Sequence, residues 1–149
     1  MIRLEPQVLA AIRRHGERAY PEECCGALLG RIEAGCRHVS EALALDNGRD
    51  SERERRFLIG PEAYRLAERA AAQRGLDLVG FYHSHPDHPA RPSAYDLEHA
   101  LPWHSTVVLA VERGRAGQWT SWILAPDRSR FDPEEPCPPG ARGKEGPWR

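Results

Sequence analysis

The chain has 149 residues, of which 40% are hydrophobic and 29% charged, and its formal net charge at neutral pH is −1. That length suits one domain with a buried core, and the near-neutral charge gives no electrostatic footprint for nucleic acid or an anionic membrane. No apolar run approaches the ~20 residues of a membrane-spanning helix, and the first residues lack the apolar segment of a signal peptide, so a cytoplasmic protein is expected.

Taken in chain order, residues 6–18 predict a helix, with Val8, Leu9 and Ile12 forming an apolar stripe. Pro21 sits where another turn or helix could start. The small and apolar run 24–30 closes on glycine and reads as a buried strand, or as a helical turn leading into one. Residues 37–46 alternate partly through Val39, Ala42 and Ala44 and predict a second strand, followed by the turn signal Asn47-Gly48. Residues 51–56 form a charge run expected in a solvated loop, and 56–59 a short strand.

Pro61 opens a second helix that runs to about Arg74, where Gly75 stops it. Residues 76–83 are almost continuously apolar, as in a central strand buried on both faces. Ser93 is a good N-cap for a short helix ended by Pro102. Residues 105–112 predict another buried strand, 113–118 a glycine-bearing turn, and 119–125 the strand that completes a hairpin. Strands and helices mix along 1–132, so the expected fold is an α/β sandwich around one central sheet. The Pro- and Gly-rich residues 133–149 are expected to be an irregular tail.

The four cysteines, Cys24, Cys25, Cys36 and Cys137, show no C-x-x-C spacing, which argues against a zinc knuckle or a thioredoxin-like site. They are expected to be buried thiols rather than a Cys36–Cys137 disulfide. Trp103, Trp119 and Trp122 are expected in core or edge-strand packing. His88, His99 and His104 are expected at the surface, and Phe81 and Tyr82 in the core.

The most informative stretch is His83-Ser84-His85-Pro86 followed by Pro92-Ser93-Ala94-Tyr95-Asp96. Two histidines one residue apart on a strand point the same way, and Ser84 between them points the other way. Two imidazoles and a carboxylate suit a borderline divalent ion such as zinc, and three protein ligands leave a position for water, as in hydrolytic zinc sites. Prolines 86, 89 and 92 stiffen the return from His85 to Asp96. Ser93 could cap the helix, donate a hydrogen bond to a developing oxyanion, or do both. A proton acceptor is also required. Glu22 and Glu23, at the margin of an apolar segment, are the carboxylates that stand out.

Glu23 followed by Gly30, then His83-x-His85, Ser93 and Asp96 in order, resembles the signature of the JAMM (MPN+) zinc metalloprotease family, and the resemblance runs over residues 2–130. It is greatest to the small stand-alone prokaryotic members. It implies a cytidine-deaminase-like sheet flanked by helices, one Zn²⁺ per chain held by His83, His85 and Asp96, Glu23 rather than Glu22 as general base and acid, and Ser93 as the oxyanion donor. It also implies hydrolysis, without a covalent intermediate, of amide bonds after the Gly-Gly terminus of a ubiquitin-like or sulfur-carrier protein. The span 96–126 is too short for the insertion with which larger members grip a second ubiquitin. An exposed edge strand could support a homodimer.

Three rivals compete with this reading. RadC-like proteins share the histidine–serine–aspartate pattern but usually carry asparagine where this chain has Ser84, and tend to carry an N-terminal DNA-binding segment. A zinc deaminase needs a C-x-x-C that is lacking here. A non-catalytic MPN scaffold typically loses ligands, and none is lost.

Overall fold

A computed structural model describes residues 1–49, 51–53, 56 and 58–140. Its strands are β1 (Ile2–Leu4), β2 (Cys25–Glu33), β3 (Cys36–Leu45), β4 (Asp77–Pro86), β5 (Ser105–Glu112), β6 (Arg115–Leu124) and β7 (Phe131–Pro133). Its helices are α1 (Pro6–Ala19), α2 (Pro61–Gln73) and α3 (Ala94–Glu98). The strands form one mixed sheet in the order β1-β3-β2-β4-β5-β6-β7, parallel for β1–β3 and β4–β5 and antiparallel elsewhere. The expected α/β sandwich around a central sheet is what forms.

Helix α1 starts with proline, whose missing N–H has no partner to lose in a first turn. Its Val8 and Ile12 pack with Cys24, Leu28, Val79, Tyr82 and Leu109 on one face of the sheet. On the other face, Ala67, Ala70 and Ala71 of α2 pack against Cys25, Ala27, Leu29 and Phe81. Strand β4 therefore lies between two helical layers, which explains its apolar run. Gly80 lets β4 and β5 approach, since a Cβ there would collide with the Ser105 carbonyl. Gly26 likewise leaves room for the Tyr82 ring that lies across it.

One irregularity in β4 sets which way its side chains point. Leu28 pairs with Gly80 and Leu29 with Leu78, so Val79 is an extra residue in the ladder. Val79 faces α1, whereas Phe81 faces α2. Beyond this bulge, His83 and His85 share the face of Phe81, and Ser84 turns to the α1 side.

Several expectations need correction. Strand β1 was not anticipated. No strand forms among the described residues of 56–59: the Leu58 N–H is bonded to Asn47 Oδ1 and its carbonyl to the Gly48 N–H, so these groups serve a loop. Phe57 lies outside the described residues. Trp103 is 85% exposed with φ of 72°, not packed, whereas Trp119 packs at the edge of the α1-side core. The β5–β6 turn is tighter than expected, because β6 already begins at Arg115.

Up to Gly140 the residues after β6 are tied to the sheet. Strand β7 reaches Pro133, and Pro136 then bridges in parallel to Ile2. The Ile2 N–H donates to the Glu135 carbonyl (3.0 Å), and the Cys137 N–H to the Ile2 carbonyl (3.0 Å). The side chain of Glu134 is covered beneath, its carboxylate accepting from Ser105 Oγ (2.7 Å) and Ser121 Oγ (2.8 Å). The segment after β7 thus reaches the β1 edge and is joined to it at Ile2. The same return brings the Cα atoms of Cys36 and Cys137 to 5.8 Å, and the two form a disulfide, contrary to the expected thiols. A separation of 101 residues hides this proximity in the sequence. Cys24 and Cys25 are buried thiols as expected.

Closing so long a loop stabilises by up to roughly 4–5 kcal/mol. Cys137→Ser should therefore lower the melting temperature by roughly 5–15 °C, read by calorimetry. Thiol titration of the denatured, unreduced protein should count two free cysteines, and after reduction four.

Candidate metal centre

The site forms where β4 runs out and β2 begins. Cys25 pairs with His83, and the Ser84 N–H donates to the Cys24 carbonyl (3.1 Å). Continuing that antiparallel register sets Glu23 opposite His85. Alternation then puts Glu23, His83 and His85 on one face. Ser84 faces away, and its Oγ accepts from the Cys24 N–H (2.9 Å), so it fastens the two strands.

The third donor arrives on α3. Ser93 Oγ accepts from the Asp96 N–H (3.1 Å), and Asp96 Oδ2 accepts from the Ser93 N–H (2.7 Å), a reciprocal capping box. The cap starts the helix and aims the carboxylate at the histidines. His83 Nε2, His85 Nε2 and Asp96 Oδ2 lie 3.1, 3.2 and 3.2 Å from one another, and all three residues are buried. Three donors ~2.0 Å from one centre at tetrahedral angles stand ~3.3 Å apart, so the group fits a zinc-sized divalent ion. His85 Nδ1–H donates to the Pro89 carbonyl (2.9 Å), which leaves Nε2 of the neutral ring as the lone-pair atom. The proline-stiffened return thus orients a candidate ligand as well as reaching Asp96.

Glu23, 4% exposed, puts Oε1 at 3.8 Å from His85 Nε2. Its Oε2 is buried with no hydrogen-bond partner among the described residues. A buried carboxylate oxygen left unpaired is costly, and its usual explanation is an ion, water or substrate group. Glu22 is less buried and takes no part in this cluster. Glu23, His85 and Ser93 line one open depression with His88, Pro89 and Arg91. On the other side of the donors a largely apolar pocket of about 150 Å³ is walled by Leu58, Phe81, Leu101 and His104.

The protonation states follow from burial and neighbours. Burial pushes the Glu23 carboxyl up to about 8, His85 opposing and Asp96 reinforcing the rise. For Asp96 burial acts upwards too, but His83 and the hydrogen bonds from His83, His85 and the Ser93 N–H hold it well below the usual carboxylate range. His83 is held low by burial against the pull of Asp96. In His85 burial acts downwards, and the bonds to Asp96 and the Pro89 carbonyl, with the charges of Asp96 and Glu23, carry it above its ordinary value.

Sequence reasoning missed the groups around these residues. Asn47 reads as a turn signal, yet its side chain bonds the Glu23 carbonyl. Arg49 and Arg56 lie over the Tyr95 ring at 5.6 and 5.0 Å, beside Asp96. Neither Arg56, at the end of a charge run, nor Arg49, just before it, gave a signal for that contact. His104 is half-buried against Phe81 and Tyr64 rather than a surface residue. His88 and His99 are exposed.

Residues 5–125 match the family model described as prokaryotic homologs of the JAB domain. The chain belongs to this family. It is 38% identical over 103 residues to a desampylase of Haloferax volcanii, a match covering 67% of this chain and 71% of that one. It is 36% identical over 93 residues to a probable TtuB-protein conjugate cleaving protease of Thermus thermophilus, covering 62% and 59%. It is 32% identical over 109 residues to tail tip assembly protein K of Escherichia phage N15, covering 68% of this chain and only 39% of that protein. Among solved structures, a Salinibacter ruber protein shares 46% identity at a TM-score of 0.74, covering 93% of this chain and 92% of that one. A JAB1/MPN domain protein from Archaeoglobus fulgidus, at 20% identity and a TM-score of 0.52 over 81% and 88% of the chains, shares the fold.

With burial raising Glu23 from 4.5 to about 8, the metal-free folded JAB domain keeps a proton that the unfolded chain loses between those values. The stability contributed by neutral Glu23 is complete below the unfolded value and is lost as pH rises through the folded one. Urea unfolding in chelator should show this contribution falling by ~3 kcal/mol between pH 4.5 and 7, and Glu23→Gln should remove that slope.

Proposed function

We propose that the protein is a zinc-dependent peptidase or isopeptidase that hydrolyses the amide bond after the Gly-Gly terminus of a ubiquitin-like or sulfur-carrier protein. The observation that carries the reading is the unpartnered Oε2 of buried Glu23 beside His83, His85 and Asp96. A scaffold that only held an ion would have no use for a buried carboxylate without a partner.

In this reading His83 Nε2, His85 Nε2 and Asp96 Oδ2 hold the ion. Zinc bound there would polarise the substrate carbonyl and lower the pKa of water towards ~7. Glu23 accepts the proton of the attacking water at its carboxylate, and its open Oε2 is the free site for it. Burial favours neutral Glu23, and a nearby cation favours the carboxylate, so the group can both take a proton and give one up. The same carboxyl then protonates the leaving nitrogen. The Ser93 Oγ accepts from Asp96 N–H within the cap, which leaves its own O–H free to donate to the carbonyl oxygen as charge builds there.

The substrate class is supported by the similarity to the Haloferax desampylase and the probable TtuB-protein conjugate cleaving protease of Thermus and by the form of the site. Between α3 and β6 the chain holds only a short connection and β5, which leaves no insertion to grip a second ubiquitin. A carrier with a plain extension or one attached lysine fits better. A cytoplasmic location is proposed with it.

Purified protein should bind about one equivalent of zinc and release the extension from a Gly-Gly carrier fusion, as read by mass spectrometry, and chelator should stop it. One equivalent of zinc with no cleavage of any such fusion would favour the scaffold. Glu23→Gln should retain zinc and lose turnover by roughly 10²–10⁴-fold. Ser93→Ala should lose roughly 10²–10³-fold. Full activity in Glu23→Gln would remove Glu23 as the base.

A further inference from the structure

Among the described residues, no hydrogen bond to the carboxyl of Glu23 holds it in place. Its Oε1 stands 3.8 Å from His85 Nε2, beyond hydrogen-bond reach, and its Oε2 has no partner among the described residues. Its aim at the three donors therefore depends on where the backbone of residue 23 sits. That backbone lies before β2, outside the sheet ladder. The Glu23 N–H donates to the Arg53 carbonyl (2.6 Å), and the Glu23 carbonyl accepts from Asn47 Nδ2 (3.3 Å).

Asn47 is the junction of this arrangement. An asparagine side chain offers two donor and two acceptor positions, and here all four are used. Nδ2 donates to the carbonyls of Glu23 (3.3 Å) and Arg56 (2.9 Å), while Oδ1 accepts from the N–H groups of Arg49 (3.1 Å) and Leu58 (3.2 Å). Two of those residues lead to the opposite wall of the site, because Arg49 and Arg56 lie over the Tyr95 ring, one residue from Asp96. One half-buried side chain thus ties the segment carrying Glu23 to the helix carrying Asp96.

We propose that Asn47 is a positioning residue: its bond to the Glu23 carbonyl, braced by the other three, fixes the distance of the Glu23 carboxyl from the His83–His85–Asp96 group. It touches none of the three donors. The name of base for Glu23 rests on the proposed function, whereas the link between Asn47 and Glu23 does not. An effect of Asn47 on turnover should run through Glu23 and leave metal and substrate binding alone.

The test uses Asn47→Ala, which removes all four bonds, and Asn47→Asp, which keeps the acceptors and turns the two donors into oxygens facing carbonyls. In the metal-free proteins, NMR should show the Glu23 carboxyl and backbone signals displaced and the His83 and His85 ring signals in place. The amides of Arg49 and Leu58 should exchange roughly ten-fold faster in Asn47→Ala. In the zinc-loaded proteins, kcat should fall by roughly 10–10²-fold, with KM and zinc content held. Asn47→Ala added to Glu23→Gln should slow the residual rate no further. Unmoved Glu23 signals in a folded Asn47 variant would overturn the proposal, as would an equal loss in both backgrounds. Should Asn47→Ala not fold, Asn47→Asp carries the same readings. Should the wild type cleave no Gly-Gly conjugate, the proposed function fails, and the Glu23 signals alone decide for or against Asn47.

Discussion

The centre depends on the antiparallel pairing of β2 with β4 and on the one residue by which that pairing is out of step. The register Cys25–His83 places Glu23 against His85, although sixty positions separate Glu23 from His83 in the chain. The extra residue, Val79, decides the face. Strict alternation from Val79 would turn His83 and His85 towards α1, among the apolar side chains that Val79 itself joins. The bulge resets the parity, so the imidazoles emerge on the side where α3 can bring Asp96 to them.

The donors are close because the fold holds them there, and that has an electrostatic price. Four buried titratable groups share a space where unpaired charge is strongly disfavoured. Without an ion, the balance is met by an ionised Asp96 paired with a protonation-prone His85, a neutral His83 and a neutral Glu23. A divalent cation held by these donors would supply compensating charge and would favour the carboxylate form of Glu23. The family and the electrostatics are both compatible with a metal ion at this group.

Away from the centre, the chain spends its last described residues on closure. The segment after β7 pairs with β1, covers the side chain of Glu134 and carries Cys137 to Cys36. The contact ties one margin of the sheet to the chain's own later residues. The helical layers cover the centre of the sheet, and the candidate metal group sits at the end of β4.

What the sequence determines by itself is what local chemistry encodes. Periodicity and punctuation mark α1, α2, β4 and the β5–β6 hairpin, since apolar spacing, proline at helix starts and glycine at turns act over a few residues. The pair His83 and His85, the cap at Ser93 and the carboxylate at Asp96 are legible for the same reason: they lie within fourteen residues with their side-chain directions set by strand and helix geometry. Glu23 became legible only through the family resemblance, because nothing in its own neighbourhood separates it from Glu22. The tertiary structure decided the rest. It chose Glu23 by register and burial, turned the histidines by a bulge that hydropathy does not register, and made Asn47 a four-bonded junction where the sequence suggests a turn. It also drew Cys36 and Cys137 together across 101 positions. Each of these rests on contacts between distant segments, whose energies depend on register and closure, and no window along the chain contains both partners.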